Sequence, residues 1–206
     1  MPERPATVWF ATGNVHKKQE LAAIFAAAGL TQFSLKIPVD GGIGGFDPEE
    51  TGSSFVENSL IKARALYQLL AQQGIREPVI ADDSGLCVDV LGGRPGIYSA
   101  RYGGRDPAER NRLLLEELGD ASNRRAQFVC AMVLLYDENR FACVQETLEG
   151  EIVAPGKERG LGGFGYDPIL YLPALGRTVA ELGEDEKNRL SHRGKAAQAI
   201  VKLLRT

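Results

Sequence analysis

The chain has 206 residues, 44% of them hydrophobic and 25% charged, the make-up of an ordinary soluble globular protein. A chain this long buries about 70% of the surface it exposes when unfolded, so it needs no disulfide or structural metal to fold. Its 24 basic and 27 acidic side chains leave a net charge of −3, which provides no broad basic face for nucleic acid or an anionic membrane.

In chain order, Ala6 to Thr12 (ATVWFAT) is a compact apolar run and a predicted first strand. Thr12-Gly13-Asn14 then turns into a helix with Leu21, Ile24, Phe25 and Ala28 on its apolar face and Gly29 at the left-handed cap position. Strand, glycine turn and helix start together make a candidate anion site, with Lys17 one turn inside the helix. The GxxxxGK[ST] spacing of a P-loop is absent, and an ordinary strand-to-helix connection explains the segment equally well.

Phe33 to Val39 reads as a second strand, and the glycine-rich, acidic stretch Asp40 to Ser53 as a loop that delivers Glu49, Glu50 and Thr51. Ser54-Phe55-Val56-Glu57 is a capping box opening a helix through Leu60, Ala63, Leu66, Tyr67 and Leu70, which stops at Gly74. Asn58 and Lys62 share one face of it. They read either as a solvated polar face or as a pair in which Lys62 turns toward phosphates near Asp83.

Val79 to Gly104 is the stretch around which the chain is organised. A short apolar run breaks at Asp82-Asp83-Ser84-Gly85, and a second strand-like run spans Leu86 to Leu91. Asp-Asp-Ser-Gly is good turn chemistry. Two acids at the end of a buried strand are also costly to desolvate unless a cation or donor compensates them.

Asp106-Pro107-Ala108-Glu109 opens a helix that Gly119 closes. Gln127 to Tyr136 and Phe141 to Val153 form an antiparallel hairpin, which makes the sheet mixed. In the loop after Ala154, Gly163-Phe164-Gly165 places an aromatic where it either stacks on a flat ring or packs in a tight turn. Ser191 is the natural N-cap of a last helix buried through Ala196, Ala197, Ile200, Val201 and Leu204. His192 and Arg193 oppose the dipole in its first turn, where folding gives no reason for cations and a ligand does. No linker or repeat interrupts residues 1–206, so one domain is expected.

Cys87, Cys130 and Cys143 lie in separate apolar runs with no CxxC pair, so buried reduced thiols are expected rather than disulfides or zinc. The first residues, MPERPATVWFAT, do not read as a signal peptide, and no run approaches the roughly 18 apolar residues of a membrane span, so a cytoplasmic protein is expected.

Five segments in this order, FATGNVHKKQEL, ETGSSFVENSLIKAR, VIADDSGLCVDVLGGRPGIYSARYGG, GGFGYDPIL and EKNRLSHRGKA, resemble the inosine triphosphate pyrophosphatase family, enzymes that hydrolyse non-standard purine nucleoside triphosphates. His16 stands where that family more often has glycine or a small residue. The resemblance implies an α/β fold, an elongated mixed β-sheet with flanking helices forming two lobes around a central cleft, and a homodimer. It implies a Mg²⁺-dependent hydrolysis of ITP, dITP or XTP to nucleoside monophosphate and pyrophosphate. Asp83 then looks like the catalytic carboxylate and a metal ligand, with Glu50 or Glu49 as the metal partner. Thr12, Gly13, Asn14, Val15, His16, Lys17, Lys62 and Ser84 look like the phosphate side. Phe164, Gly165, Tyr166, Asp167, Lys187, His192 and Arg193 look like the base side.

The residues fit that chemistry, because phosphoryl transfer is mostly positioning and charge stabilisation, and Mg²⁺ takes a few carboxylates plus phosphate oxygens and water. Two other functions stay open: a related pyrophosphatase acting on pyrimidine or modified nucleotides, and a nucleotide-binding module without turnover. Base selectivity at Phe164, His192 and Arg193 separates the first of these, and the paired carboxylates argue against the second.

Overall fold

The computed structural model describes residues 6–104, 106–160 and 165–205. Seven strands pair in the order β2-β1-β3-β4-β5-β6-β7: β1 Ala6–Phe10, β2 Phe33–Lys36, β3 Val79–Val88, β4 Arg125–Leu135, β5 Phe141–Ile152, β6 Leu170–Leu172 and β7 Arg177–Thr178. The sheet is mixed, since β1 runs parallel to β2 and β3 whereas β6 runs antiparallel to β5 and β7. Five α-helices accompany it among the described residues: α1 Val15–Ala27, α2 Phe55–Gln72, α3 Pro107–Leu118, α4 Glu184–Leu190 and α5 His192–Leu204.

The chain divides into two compact units, Met1–Asp83 with Cys130–Glu146 and Arg193–Thr206, and Ser84–Val129 with Thr147–His192. In the first unit the period-two alternation of strands separates two cores. Val8, Phe10, Ile80, Cys130, Met132 and Leu134 pack with Leu21, Ile24 and Phe25 of α1 and Ala196, Ala197, Ile200 and Val201 of α5. The intervening Trp9, Ala11, Val79, Ala81, Val133 and Leu135 pack with Ala63, Leu66, Tyr67 and Leu70 of α2. The second unit has its own core, in which Leu86 and Val88 meet Leu114, Leu115 and Leu118 of α3, and Phe128, Tyr166 and Ile169 join them.

Most expected elements form near their expected bounds, with Gly29 left-handed at φ 71° after α1. The hairpin forms as read, its turn closed by Tyr136 N–H donating to Arg140 C=O at 2.9 Å.

Four local expectations are corrected. The chain does not break at Asp82-Asp83: β3 runs unbroken through Asp-Asp-Ser-Gly, because cationic and amide partners take up the carboxylates. The run after it ends as a single helical turn, Asp89–Leu91, rather than continuing as strand. The second strand stops at Lys36, since Pro38 has no N–H for a ladder and starts another short turn. The capping box is half made: Ser54 accepts from Glu57 N–H, but the Glu57 carboxylate takes the Ser53 N–H and hydroxyl instead of returning to Ser54. Helix α4 and strands β6 and β7 have no counterpart in the sequence reading; all are short.

Candidate active site

Alternation along β3 splits the acid pair. Asp82 is in phase with Ile80 and faces the α1 and α5 side, and Asp83 is in phase with Ala81 and faces α2. Each carboxylate meets a different set of partners.

On the α2 side, Asn58 and Lys62 stand one turn apart and both reach Asp83. Asn58 Nδ2 donates to Asp83 Oδ2 at 3.1 Å, and Lys62 Nζ to Asp83 Oδ1 at 3.4 Å. Asn58 Oδ1 accepts from Gly52 N–H at 2.9 Å, which fixes the amide orientation and fastens the preceding loop. Gly52 has to be glycine, since a Cβ there would come within 2.7 Å of Asn58 Oδ1 and of Glu57 Cβ. The loop so held brings Glu50 Oε1 to 2.6 Å from Lys62 Nζ, while Glu49 stays exposed. Of the two candidate metal partners, the geometry therefore favours Glu50.

Burial pushes the Asp83 carboxyl up from its ordinary value; Lys62 opposes that and the Glu50 charge adds to it, so the net shift is upward. Burial alone would lower the Lys62 ammonium, but the charges of Asp82, Asp83 and Glu50 outweigh it and hold Lys62 protonated. One ammonium thus contacts both carboxylates. No group of three or more His, Cys, Asp or Glu side chains is placed to hold a metal ion among the described residues. Two converging carboxylates are nonetheless the donor set Mg²⁺ uses when phosphate oxygens and water complete its shell.

On the other side, both Asp82 oxygens accept from Lys17 Nζ, at 3.0 and 2.9 Å, and Oδ2 accepts from Arg193 Nε at 3.2 Å. Arg193 Nη1 reaches Glu20 Oε2 at 2.9 Å. Burial would push the Asp82 carboxyl up, but Lys17, Arg193 and Lys62 outweigh burial and hold it far below the usual carboxylate range. The expectation that folding gives Arg193 no reason to be cationic is therefore corrected, because it is a buried counter-ion to two acids.

The turn before α1 is built by its own side chains. Thr12 Oγ1 accepts from Asn14 N–H at 3.0 Å, and Asn14 Oδ1 caps the helix by accepting from His16 and Lys17 N–H at 2.9 and 3.3 Å. Two helix-start donors read as free for an anion are thus already occupied. Among the described residues the N–H groups of Gly13 and Val15 remain without a protein acceptor. A cavity of about 290 Å³ opens here, lined by Ala11, Thr12, Gly13, Asn14, Lys17, Phe46, Asp47, Pro48, Glu50, Lys62 and Asp82. Val15 and His16 are exposed on α1, and Ser84 is half-buried on β3.

Of the residues assigned to the base side, Gly165, Tyr166, Asp167, Lys187 and His192 belong to the second unit, and Arg193 to the first. Lys187 Nζ pairs with Asp167 Oδ2 at 2.7 Å, with Asp167 buried. The His192 ring stacks on Phe128 with centroids 4.8 Å apart. Tyr166 is a core residue whose hydroxyl donates to Ser99 C=O at 3.0 Å, and burial pushes its phenol up to about 12. Asn111 Nδ2 donates to Gly165 C=O at 3.2 Å. Phe164 lies outside the described residues.

Sequence reading alone does not assign Asp82, Glu20, Asn58, Phe46 or Asn111 to a site. Asn58 carries a usable signal in its four-residue spacing from Lys62, and Asp82 in its place beside Asp83 at the end of a buried strand. The model of the Ham1 family matches residues 8–203.

The chain belongs to the Ham1 family.

It is 48% identical over 204 residues to a dITP/XTP pyrophosphatase of Treponema denticola, spanning 96% of this chain and 98% of the relative. It is 43% identical over 205 residues to a dITP/XTP pyrophosphatase of Escherichia coli, spanning 96% and 98%. Among solved structures, a HAM1 protein from Coxiella burnetii superposes with a TM-score of 0.84 at 38% identity, covering 97% of this chain and 98% of that one. This Ham1 chain carries the inosine triphosphate pyrophosphatase pattern seen in its sequence, on a mixed α/β fold. No helix among the described residues is long and apolar enough to cross a membrane.

Proposed function

We propose that this protein hydrolyses non-standard purine nucleoside triphosphates, ITP, dITP and XTP, to the nucleoside monophosphate and pyrophosphate, removing them from the nucleotide pool. Relatives named dITP/XTP pyrophosphatase, matched over nearly their whole length, support the activity. The observation in this chain that carries it is Asp83, a buried carboxylate with a raised pKa that faces Lys62 and Glu50 beside a cavity lined by Lys17 and the Gly13 turn.

The reaction is attack of water on the α-phosphorus, with the bond to the bridging oxygen breaking and pyrophosphate leaving. Asp83 is the group to accept the proton of that water, its raised pKa bringing it nearer the operating pH. Lys62 and the unclaimed N–H groups of Gly13 and Val15 supply donors to phosphate oxygens, whose charge is spread in the transition state, and Lys17 binds the triphosphate alike in ground and transition states. Asp83 and Glu50 are the residues to hold Mg²⁺, which when bound neutralises phosphate charge and polarises the water. Lys62 then exchanges its carboxylate contacts for phosphate ones.

Asp167, Lys187 and His192 are the residues to recognise the purine, whose 6-keto oxygen accepts where adenine's amino group donates. Lys187 and a histidine N–H are donors, so a keto purine satisfies them and adenine does not. The working protein is a cytoplasmic homodimer in this reading. The test is product analysis with ITP and Mg²⁺: IMP and pyrophosphate in equal amounts support it, whereas IDP with orthophosphate, or no turnover, overturns it.

A further inference from the structure

Asp82, the first acid of the pair, has no role in the reaction just described, yet it is buried and paired with two cations. It is 2% exposed and accepts three N–H donors, two from the Lys17 ammonium and one from Arg193. A carboxylate offers about four acceptor positions, so little of Asp82 is left for a metal. Arg193 carries the network on to Glu20, which stands on α1 three residues after Lys17. Strand β3 is thereby tied to both α1 and α5.

The lysine is the end of this network that lines the cavity. Its side chain keeps 21% exposure against 1% for Asp82, and it lines the 290 Å³ cavity. An ammonium has three N–H donors. The contacts to Asp82 use two and leave one for a ligand. A lysine stem loses rotamer freedom wherever it is fixed, and here that loss is taken on folding rather than on binding.

We infer that Asp82 is a positioning residue for the triphosphate, fixing the Lys17 ammonium at the cavity with Arg193 behind it and taking no metal. The inference rests on reading Lys17 as a phosphate-binding cation. It also divides the acid pair, with Asp82 organising cations of the protein and Asp83 facing the metal and water.

The experiment is a double-mutant cycle on the full chain, with ITP and Mg²⁺. Asp82→Asn keeps the size but turns an amide N–H₂ toward two cations. The expected result is a KM raised about tenfold or more with kcat within about threefold, the signature of lost uniform binding. The Mg²⁺ concentration at half-maximal rate should not move. In a Lys17→Met background Asp82→Asn should add less than about twofold to KM, because the two residues act through one contact.

Asp82→Asn takes one of its acids from the buried Arg193, so the same comparison is made between Arg193→Met and Asp82→Asn/Arg193→Met, where acid and buried cation leave together. An unchanged KM, full multiplication of the Asp82 and Lys17 effects, or a shifted Mg²⁺ midpoint overturns the inference. A Lys17→Met enzyme with wild-type KM is a different result. It removes the phosphate-side reading of Lys17, and the inference falls with it.

Discussion

Replacing Asp83 by Asn should make the protein inactive and, at neutral pH without metal, no less stable. The carboxylate is 8% exposed, and its compensation includes one amide at 3.1 Å and one ammonium at 3.4 Å that it shares with Glu50. Hydrogen bonds to a charged group contribute about 1.5–3 kcal/mol each, while burying an ion costs several kcal/mol. The upward pKa shift says burial wins. A group whose folded pKa lies above its unfolded one contributes stability below the unfolded pKa, about 3.9, and loses it as pH rises through the folded value. The neutral amide of the Asp83→Asn variant has no charge to bury. The variant should therefore melt at the wild-type temperature or above it at pH 7, at about 2–4 °C per kcal/mol, and the gap should close as pH falls toward about 4 and wild-type Asp83 takes up its proton. Turnover should fall by about 10²–10⁴-fold for loss of a general base, and further if metal binding is lost too. Calorimetry across pH in a chelator, beside pyrophosphate release in Mg²⁺, measures both. A clear drop in melting temperature at pH 7 would refute the reasoning, because it would mean the contacts to Lys62 and Asn58 outweigh burial.

Glu50→Gln should raise the Mg²⁺ concentration needed for half-maximal rate by about tenfold or more, the scale of losing a charged ligand contact, whereas Glu49→Gln should leave it in place; a metal titration of both decides between the neighbours. Arg193→Met should cost about 1.5–3 kcal/mol, because it removes a charged hydrogen-bond donor from Asp82 while Lys17 stays, and an unchanged thermal melt would return Arg193 to the role of ligand-binding surface cation. Tyr166→Phe should lower stability by about 1 kcal/mol through loss of the hydrogen bond to Ser99, and should remove a tyrosine absorbance change near the pH of about 12 to which burial pushes Tyr166.

The legible parts of this chain are those whose signals are local. The turn Thr12-Gly13-Asn14, the N-cap Ser54 and the hairpin over Asp137 each declare themselves within a few residues. The central acids do not. Asp, Asp, Ser and Gly in succession read as a turn because their strand propensity is poor. They lie in a strand because their partners arrive from Lys17, 65 positions away, and from Arg193, 111 positions away. The same distance hides the purpose of Arg193, whose acids are on other elements. Which of Glu49 and Glu50 turns inward depends on Asn58 fastening Gly52, a contact that no periodicity encodes. The opposite facing of Asp82 and Asp83 is readable in principle, since alternation follows as soon as the segment is known to be a strand.

The most direct test of the function is kcat/KM for ITP, dITP, XTP, GTP and ATP, followed by pyrophosphate release in Mg²⁺ and repeated in chelator. The account predicts rapid release from ITP, dITP and XTP, with ATP poorer by about 10⁴–10⁵-fold where a buried donor meets its amino group, and no release from any of them in chelator. Comparable rates for ATP and ITP, or undiminished release without divalent metal, would contradict it.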